Sequence, residues 1–516
     1  MTSPVRPVEH RELVIIGGGP AGMAAALEAR RAGVQTTLID ERPTLGGQIY
    51  KQPPVDFQVR LPARMGKEYA VGHPLVARTL RSGAEVLTGH VVWNVRGPSP
   101  LDVDVYDPTP GPTRGARTLR AQSLIVAAGA YDRPVPFPGW TLPGVLTAGG
   151  AQALVKIQNV LPGDRILMAG SGPLILAFSA QLHKLGANIV AVLEAAPRPG
   201  PREALGLLRG AAAGNAKLLA EGIGYLAYLK RHGIPLLYGH AIARAEGAAE
   251  VEQAVARRVD ADWRPIPGTE RTFDVDTVCV GYGFVPSLEI VRVLGCALRF
   301  DEDLGGHIPV RDDDQQTSVP GVYVVGDGGG VDGSAVALEE GRIAGLVVAA
   351  RTHPQSYPDL EGLLMRRRRR LAELRSFREA LTTMYRVGPG IYEWATDQTV
   401  VCRCEEVTAG EARRNILFDS RDPNMVKSLT RMSMGLCQGR ICSRQIAAIF
   451  ARETGRPLSD VPPLSPRPPL KPVPIGLIAD TSVPEIPDRM QELPQMLVEP
   501  PVDLVESAPG TVEAES

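Results

Sequence analysis

Alternating runs of apolar and polar residues predict two strand–turn–helix–strand units in the chain. Residues 12–41 read as an apolar strand (LVIIG), a glycine turn, a helix (MAAALEARRAG) and a second strand (TTLIDE). Residues 165–194 repeat this order with RILMAG, SGP, LILAFSAQLHKLG and NIVAVLEA. Each unit has about the length of a parallel βαβ crossover. The pattern predicts an α/β protein with two dinucleotide-binding, Rossmann-like domains.

Further strand patterns predict that the second domain is inserted into the first. SLIVAAGA precedes the second unit, while TVCVGYGFVPS and GVYVVGDGGG follow it and lead into the helix SAVALEEGRIAGLVVAA. We therefore expect six segments: a first half-domain (1–150), an inserted second dinucleotide-binding domain (151–275), the second half of the first domain (276–352), an arginine-rich helical linker (353–395), a small cysteine-bearing domain (396–456) and a proline-rich extended or disordered tail (457–516).

The first turn carries a dinucleotide-binding motif. Gly17 allows the tight turn, Gly19 lets backbone N–H groups approach a pyrophosphate, and Gly22 permits close packing of helix on strand. Asp40 and Glu41 end the second strand, and either one could accept a hydrogen bond from a ribose 2′-hydroxyl. The sequence therefore predicts a dinucleotide site here.

Later features favour FAD over NAD in this first site. Gly47 and Gln48 follow the acidic residues, where a loop would run toward a ring system. Gly326 and Asp327 end a strand and lead into a helix, so Asp327 could accept from a ribityl hydroxyl or simply cap the helix. Together with Gly129 in SLIVAAGA, these motifs resemble the two-dinucleotide flavoproteins of the glutathione-reductase and thioredoxin-reductase type over about residues 1–350. That resemblance implies bound FAD.

The second turn departs from the motif. Gly170 and Gly172 are present, but Ile175 stands where the third glycine is expected, so the helix must move away or meet a small partner. Glu194 could still bind a ribose. The second site is therefore predicted to take NAD(P)H, another adenine nucleotide, or nothing. Residues 1–350 contain no CxxC pair, which argues against dithiol–disulfide chemistry.

Four cysteines form a candidate metal centre near residue 400. Cys402 and Cys404 form a CxC pair, and Cys437 and Cys442 are separated by four residues. Four thiolates suit either a [2Fe–2S] cluster or a tetrahedral zinc site, although zinc sites usually include a CxxC pair. The module resembles the small [2Fe–2S] domain of bacterioferritin-associated ferredoxin, which implies an iron–sulfur cluster.

Composition and charge narrow the function classes. The chain has 516 residues, which suggests about three domains at ~150 residues each. Fifty-six basic residues balance 57 acidic ones, so no overall field attracts nucleic acid. We predict no integral membrane segment, no disulfides and a cytoplasmic location. The arginine-rich helix MRRRRRLAELRSFREAL is interpreted as a solvated face, with a docking surface as the alternative.

The combined arrangement points to one group of flavoenzymes. With YGFVPS at 282–287, CQGRIC and RPPLKPVP, nearly the whole chain resembles the large (α or A) subunit of heteromeric amine-oxidising flavoenzymes, of the opine oxidase, D-hydroxyproline dehydrogenase and hydrogen cyanide synthase type. The resemblance implies a smaller β subunit, which carries its own FAD, oxidises the C–N bond of an amine, amino acid or opine, and passes electrons to this chain. Two alternatives stay open: a stand-alone NAD(P)H-dependent reductase and a scaffold with a structural cluster.

Overall fold

The computed structural model describes residues 8–54, 67–109, 115–210, 215–418 and 422–479. Pro7–Val473 form one compact unit, and the short helix Ile475–Ala479 belongs to another. The part of the proline-rich tail predicted beyond residue 479 lies outside the described residues. No helix in the described ranges is both long and apolar enough to cross a membrane.

A seven-stranded sheet carries the first glycine loop. Its order is Glu85–Thr88, Thr36–Asp40, Val8–Ile16, Arg117–Val126, Leu101–Tyr106 and Val91–Arg96, with Val322–Val324 beside the end of Arg117–Val126. Leu101–Tyr106 and Val91–Arg96 are antiparallel additions to an otherwise parallel sheet. The carboxyl ends of the parallel strands therefore meet at one edge, which is where open α/β sheets bind ligands.

A second, fully parallel sheet lies within the span of the first along the chain. Its order is Leu236–Tyr238, Asn188–Glu194, Arg165–Gly170, Thr277–Gly281 and Val145–Thr147. Because the first sheet resumes only at Val322–Val324, the second domain is nested in the first, and the predicted fold class is confirmed. The exact segment boundaries stay predictions.

Smaller sheets and the helices complete the described fold. The other strands are His240–Glu246, Gln253–Arg258 and Arg271–Asp274 in an antiparallel sheet, and the pairs Ala130–Asp132 with Phe284–Pro286, Leu298–Asp301 with Gly306–Pro309, and Val400–Cys402 with Val407–Thr408. The α-helices in the 7–473 unit are Pro20–Arg31, Lys67–Leu80, Ala148–Ala153, Pro173–Lys184, Pro201–Gly210, Ala216–Arg231, Glu289–Val293, Ser334–Thr352, Leu360–Met384, Ala409–Phe418, Pro423–Thr430 and Ser443–Thr454. A π-helical turn, Leu154–Gln158, continues the third of these helices.

The arginine-rich helix Leu360–Met384 is not simply solvated. Arg378 pairs with Asp332 at 2.8 Å, and Arg375 pairs with the buried Glu340 at 2.7 Å. Arg368 reaches Asp314 on another loop at 2.6 Å. The basic residues therefore fasten the helix to the second half of the first domain, which the sequence pattern alone did not indicate.

Helices Pro20–Arg31 and Ser334–Thr352 cross with almost no space between them. A Cβ atom on Gly341 would lie 2.1 Å from the carbonyl oxygen of Ala21, and one on Gly345 would lie 2.6 Å from that of Ala25. Real Cβ atoms do not approach backbone this closely, so the crossing requires glycine at both positions.

Replacing Gly341 by alanine should force these helices apart. We expect Gly341→Ala to lower the free energy of unfolding by about 1–3 kcal/mol, because overpacking shifts the backbone. The matched control is Gly222→Ala in helix Ala216–Arg231, where a Cβ meets nothing within 4 Å. That variant should gain about 0.5–1 kcal/mol from helix propensity. Thermal unfolding midpoints that move in the same direction in both variants would contradict the packing argument.

Candidate functional site

A cavity of about 1340 Å³ opens at the carboxyl edge of the seven-stranded sheet. It is lined by nine of the residues predicted to bind the first dinucleotide: Gly17, Gly19, Asp40, Glu41, Gly47, Gln48, Gly129, Gly326 and Asp327. They come from both halves of the first domain, and the fold brings them together. Gly22 lies behind the loop in the helix.

The first glycine loop has the geometry expected for a close backbone approach. Gly17 has φ of +109°, and a Cβ there would lie 2.2 Å from the carbonyl oxygen of Ala127. A Cβ on Gly22 would lie 1.9 Å from the carbonyl oxygen of Gly17. Gly19 instead faces Gly47, whose Cα would lie 3.7 Å from such a Cβ. Gly17 and Gly22 therefore shape the turn, while Gly19 keeps the cavity wall free of a side chain.

Two helix N-termini converge on this cavity. Pro20–Arg31 and Ser334–Thr352 both begin without a side-chain cap and without an acidic residue in the first turn. Residues Pro20 and Ser334 line the cavity wall. Uncapped N–H groups and the positive ends of two helix dipoles favour a group with two negative charges, so this wall fits the pyrophosphate of a dinucleotide.

The two acidic residues after the second strand play different structural roles. Asp40 accepts hydrogen bonds from the backbone N–H groups of Gly18 at 2.6 Å and Arg42 at 2.8 Å, so its carboxylate holds the loop. Glu41 is exposed at the cavity rim and pairs with Lys471 at 2.8 Å. Partial desolvation at the rim raises the pKa of Glu41, but the ammonium group of Lys471 outweighs it, so the net shift is downward. A ribose contact from either residue stays a prediction.

Glu340, a buried carboxylate behind the turn at Gly326 and Asp327, was not among the site residues predicted from the sequence. Glu340 is 1% exposed and accepts from the backbone N–H of Gly326 at 2.7 Å and from Arg311 at 2.9 Å. In front of it, Oδ1 of Asp327 accepts from the N–H groups of Asp332 and Gly333. Glu340 thus fixes the turn that points Asp327 into the cavity. Because Glu340 lies 14 residues after Gly326, no local sequence motif connects the two residues.

The second glycine loop is well formed. Pro173 and Leu174, at the start of its helix, line this cavity, but Gly170, Gly172 and Glu194 do not. A Cβ on Gly170 would lie 2.2 Å from the carbonyl oxygen of Gly281, and Gly172 has φ of +97°. The small partner that Ile175 requires is Gly281, where a Cβ would lie 3.1 Å from the isoleucine Cδ1. Ile175 therefore packs on the sheet without displacing the helix.

The carboxylate of Glu194, the acidic residue of the second loop, accepts hydrogen bonds from the backbone of its own domain. Glu194 is buried and accepts from the N–H groups of Gly172 at 3.0 Å and Ala196 at 2.9 Å. Burial raises its pKa to about 7. Tyr385, which follows the arginine-rich helix, lies over the loop, with its Cγ 3.9 Å from where a Cβ on Gly172 would be. A nucleotide at Gly170, Gly172 and Glu194 stays a prediction.

The four cysteines of the small domain come together as two pairs. Cys402 and Cys442 are buried and close enough for each thiol to shift the pKa of the other, and Cys404 and Cys437 form a similar pair nearer the surface. In the described part of the chain, no group of three or more His, Cys, Asp or Glu residues is arranged to hold a metal ion. Cys279 and Cys296 are buried elsewhere, and none of the six thiols is in a disulfide.

The loops around these thiols suit bound thiolate. The hydrogen bond from Cys442 and backbone N–H groups of Glu405 and Ser433 lower the pKa of Cys402. The hydroxyl of Ser433 lies 3.3 Å from the sulfur of Cys442. Ser433 also has a positive φ, as do Glu406, Arg431 and Gln438 in the same loops. Four thiols with backbone N–H donors at Cys402 have the chemistry of an iron–sulfur site, although their side chains are not gathered around a single metal position.

The small domain also forms part of the cavity wall. Arg403, which follows Cys402, and Ile441, which precedes Cys442, both line the cavity that contains the first glycine loop. Arg440 lines it too, pairing with Glu289 at 2.9 Å and donating to the hydroxyl of Tyr131 at 2.7 Å. The residues next to the buried thiol pair therefore face the dinucleotide cavity.

Comparison with known proteins identifies both parts of the chain. Residues 11–351 match the pyridine nucleotide-disulphide oxidoreductase family, and residues 400–452 match the BFD-like [2Fe-2S] binding domain. The chain is 34% identical to hydrogen cyanide synthase subunit HcnB of Pseudomonas protegens, covering 86% of this chain and 92% of HcnB. It is 33% identical to the A subunit of opine oxidase from Rhizobium meliloti, covering 92% and 99% respectively. In fold it resembles L-proline dehydrogenase of P. horikoshii, with a TM-score of 0.63, 20% identity, and coverage of 92% of this chain and 80% of that one.

The chain belongs to the pyridine nucleotide-disulphide oxidoreductase family and groups with HcnB and the A subunit of opine oxidase. It is an FAD-dependent oxidoreductase whose cofactors are FAD and a [2Fe–2S] cluster. The predicted resemblance, enzyme class and cofactors are confirmed. Which residues hold each cofactor stays a prediction, resting on the geometry of the cavity and of the thiol loops.

Glu340 offers a test of the FAD assignment. Glu340→Gln keeps the side-chain shape but leaves Arg311 without its charge partner, a change that costs about 3–5 kcal/mol in buried pairs. We expect the variant to lose FAD on dilution and to melt at a lower temperature. Glu379→Gln, an exposed glutamate on the neighbouring helix, is the matched control. Unchanged flavin retention in Glu340→Gln would show that the carboxylate does not position the Gly326 turn.

Cys437 offers a test of the cluster assignment. Protein purified without oxygen should contain iron and acid-labile sulfide, and Cys437→Ser should lose both while keeping FAD. Its visible absorption beyond the flavin bands should bleach, because a serine hydroxyl is a poor replacement for a cluster-binding thiolate. Cys296→Ser, a buried cysteine outside the small domain, is the control. Zinc without sulfide in the parent protein would contradict the assignment.

Proposed function

We propose that this chain is the electron-relaying subunit of a heteromeric enzyme that oxidises the C–N bond of an amine, amino acid or opine. A smaller FAD-containing β subunit would bind and oxidise the substrate. When bound here, FAD exchanges electrons in pairs and the [2Fe–2S] cluster exchanges them singly. The protein would fix the distance between FAD and the cluster, and would provide the polar and charged environment of each.

One observation carries this proposal. Arg403 and Ile441 are each adjacent in sequence to a buried thiol, and both line the wall of the dinucleotide cavity. The other thiol pair contains the exposed Cys404. The cluster site thus has one side toward the cavity and one toward the surface, which is the arrangement that a relay needs.

The surface side has the character of a contact region. Leu436 is 78% exposed and Met434 is 56% exposed, and both lie within three residues of Cys437. Exposed large apolar residues beside a redox centre favour transient docking of a protein partner. Two relatives, HcnB and the A chain of opine oxidase, are by name parts of multi-subunit enzymes, and the second name gives opines as the substrate class. These points support a partner that holds substrate specificity.

We also infer a cytoplasmic location, because six free cysteines are most easily kept reduced there. Dithiol–disulfide chemistry remains excluded from the proposal: no cysteine lines the dinucleotide cavity in the described part of the chain.

A stand-alone NAD(P)H-dependent reductase is the second candidate. The second loop favours it, since Gly172 is left-handed and helix Pro173–Lys184 begins without a side-chain cap. The position of Tyr385 over Gly172 argues against it, since a pyrophosphate would need that space.

The isolated chain should separate the two candidates. We expect it to contain FAD, iron and sulfide, yet to show no dehydrogenation of opines or amino acids with an artificial acceptor. NADH and NADPH should bleach the flavin slowly or not at all. Addition of the co-purified partner should restore substrate-dependent bleaching. Cys437→Ser in the complex should then stop electron transfer to the acceptor, whereas Cys296→Ser should not.

Rapid flavin bleaching by NADH or NADPH in the isolated chain would favour the reductase. Robust turnover of an opine or amino acid without a partner would contradict the division of labour between subunits.

A further inference from the structure

Two buried lysines line the dinucleotide cavity and have no role in the relay. Lys51 is 4% exposed and Lys156 is 6% exposed, and both face the cavity. Lysine is rarely buried to this extent without a charge partner, because removing an ammonium group from water is costly. Their surroundings therefore indicate what they bind.

Neither ammonium group donates a hydrogen bond to a carboxylate in the described part of the chain. Nζ of Lys51 donates to the carbonyl oxygen of Gly149 at 3.2 Å. Nζ of Lys156 lies 3.9 Å from the Glu68 carboxylate, beyond hydrogen-bond distance. Asp132 is nearby, but its oxygens accept from the Thr147 hydroxyl and the Gly149 N–H. The positive charge of the pair is only partly compensated by the protein.

Local charges reinforce this imbalance. Burial, together with repulsion from Arg42 and Lys156, lowers the pKa of Lys51 to about 8, and Asp132 opposes the shift. Burial also lowers the pKa of Lys156, against attraction from Glu68. An anion bound between the two ammonium groups would attract both of them, and would thereby offset their mutual repulsion and the cost of burying their charges.

The backbone around Lys156 is itself unusual. Lys156 lies at the centre of the π-helical turn Leu154–Gln158, which ends at Asn159 in the left-handed region with φ of 56°. Single π-turns interrupting an α-helix are energetically unfavourable and occur often at functional sites. Here the turn places Lys156 inside the cavity wall.

We propose that Lys51 and Lys156 form a binding site for a small organic carboxylate within the dinucleotide cavity of this chain. The pyrophosphate of FAD fits a different wall, at the N-termini of helices Pro20–Arg31 and Ser334–Thr352. The cavity wall also includes Leu174, Phe178 and Tyr225 from the second domain, which suit a carbon body better than an inorganic ion. The chain would then bind a small-molecule ligand of its own beside FAD, independently of any partner.

The test uses the FAD- and iron-loaded full chain and benzoate as the probe. We expect a saturable change in the flavin absorption spectrum, with affinity falling as the pH is raised above about 8, where Lys51 loses its proton. Lys51→Met and Lys156→Met should each weaken binding by about tenfold or more, the effect of losing one charge-assisted contact. Lys156→Gln, which keeps polarity without charge, should behave like Lys156→Met. Lys230→Met, an exposed lysine at the end of helix Ala216–Arg231, should bind normally.

FAD content and melting temperature of every variant show whether the fold is kept. Equilibrium dialysis with labelled benzoate measures binding without relying on the flavin. No saturable binding by the parent chain, or undiminished binding by the three Lys51 and Lys156 variants, would overturn the proposal. Binding of inorganic phosphate but not benzoate would overturn the carboxylate assignment. Because no partner protein or turnover is involved, failure here leaves the relay proposal unaffected.

Discussion

The close crossing of helices Pro20–Arg31 and Ser334–Thr352 is the constraint on which the site depends. Gly341 and Gly345 allow the backbones to touch at Ala21 and Ala25, and no residue with a Cβ fits at either glycine. This crossing joins two segments more than 300 residues apart in the chain. It brings two uncapped helix N-termini to one cavity, so a doubly charged phosphate group can be met by both dipoles. Glu340, one residue before Gly341, accepts a hydrogen bond from the backbone of Gly326 and so ties the Gly326 turn to the same crossing.

Arginine–carboxylate pairs hold the small domain against that cavity. Glu302 pairs with Arg133 at 2.8 Å and contacts Arg444 of the small domain, and although burial opposes it, these two guanidinium groups lower the pKa of Glu302. Arg444 also donates to Tyr392 at 2.7 Å. Paired in this way, planar guanidinium groups fix orientation as well as distance. The wall residues beside the buried thiols are therefore held by a network rather than by one contact.

Local features of the chain were predictable from sequence, because their causes are local. Glycine spacing and apolar periodicity are enough to place the strand Thr36–Asp40 and the helix Pro173–Lys184, and four cysteines are enough to indicate a metal centre. Glu340, Lys51 and Lys156 could not be recognised in the same way. A charged residue has no sequence signal for burial, which depends on elements that meet only in the folded chain. The helix Pro423–Thr430 has a weak sequence signal for a different reason, since it is only eight residues long.

The second glycine loop shows how an altered motif can keep its fold and still change its accessibility. Ile175 replaces the expected glycine, but Gly281 on the adjoining strand supplies the missing space, so the substitution does not move the helix. The departure in the motif therefore says little about nucleotide binding. The position of Tyr385 over Gly172 says more, since an aromatic ring there occupies the approach to the loop. Because Tyr385 follows the helix that Arg375 and Arg378 fasten to Glu340 and Asp332, access to the second loop is tied to the same ion pairs that support the first site.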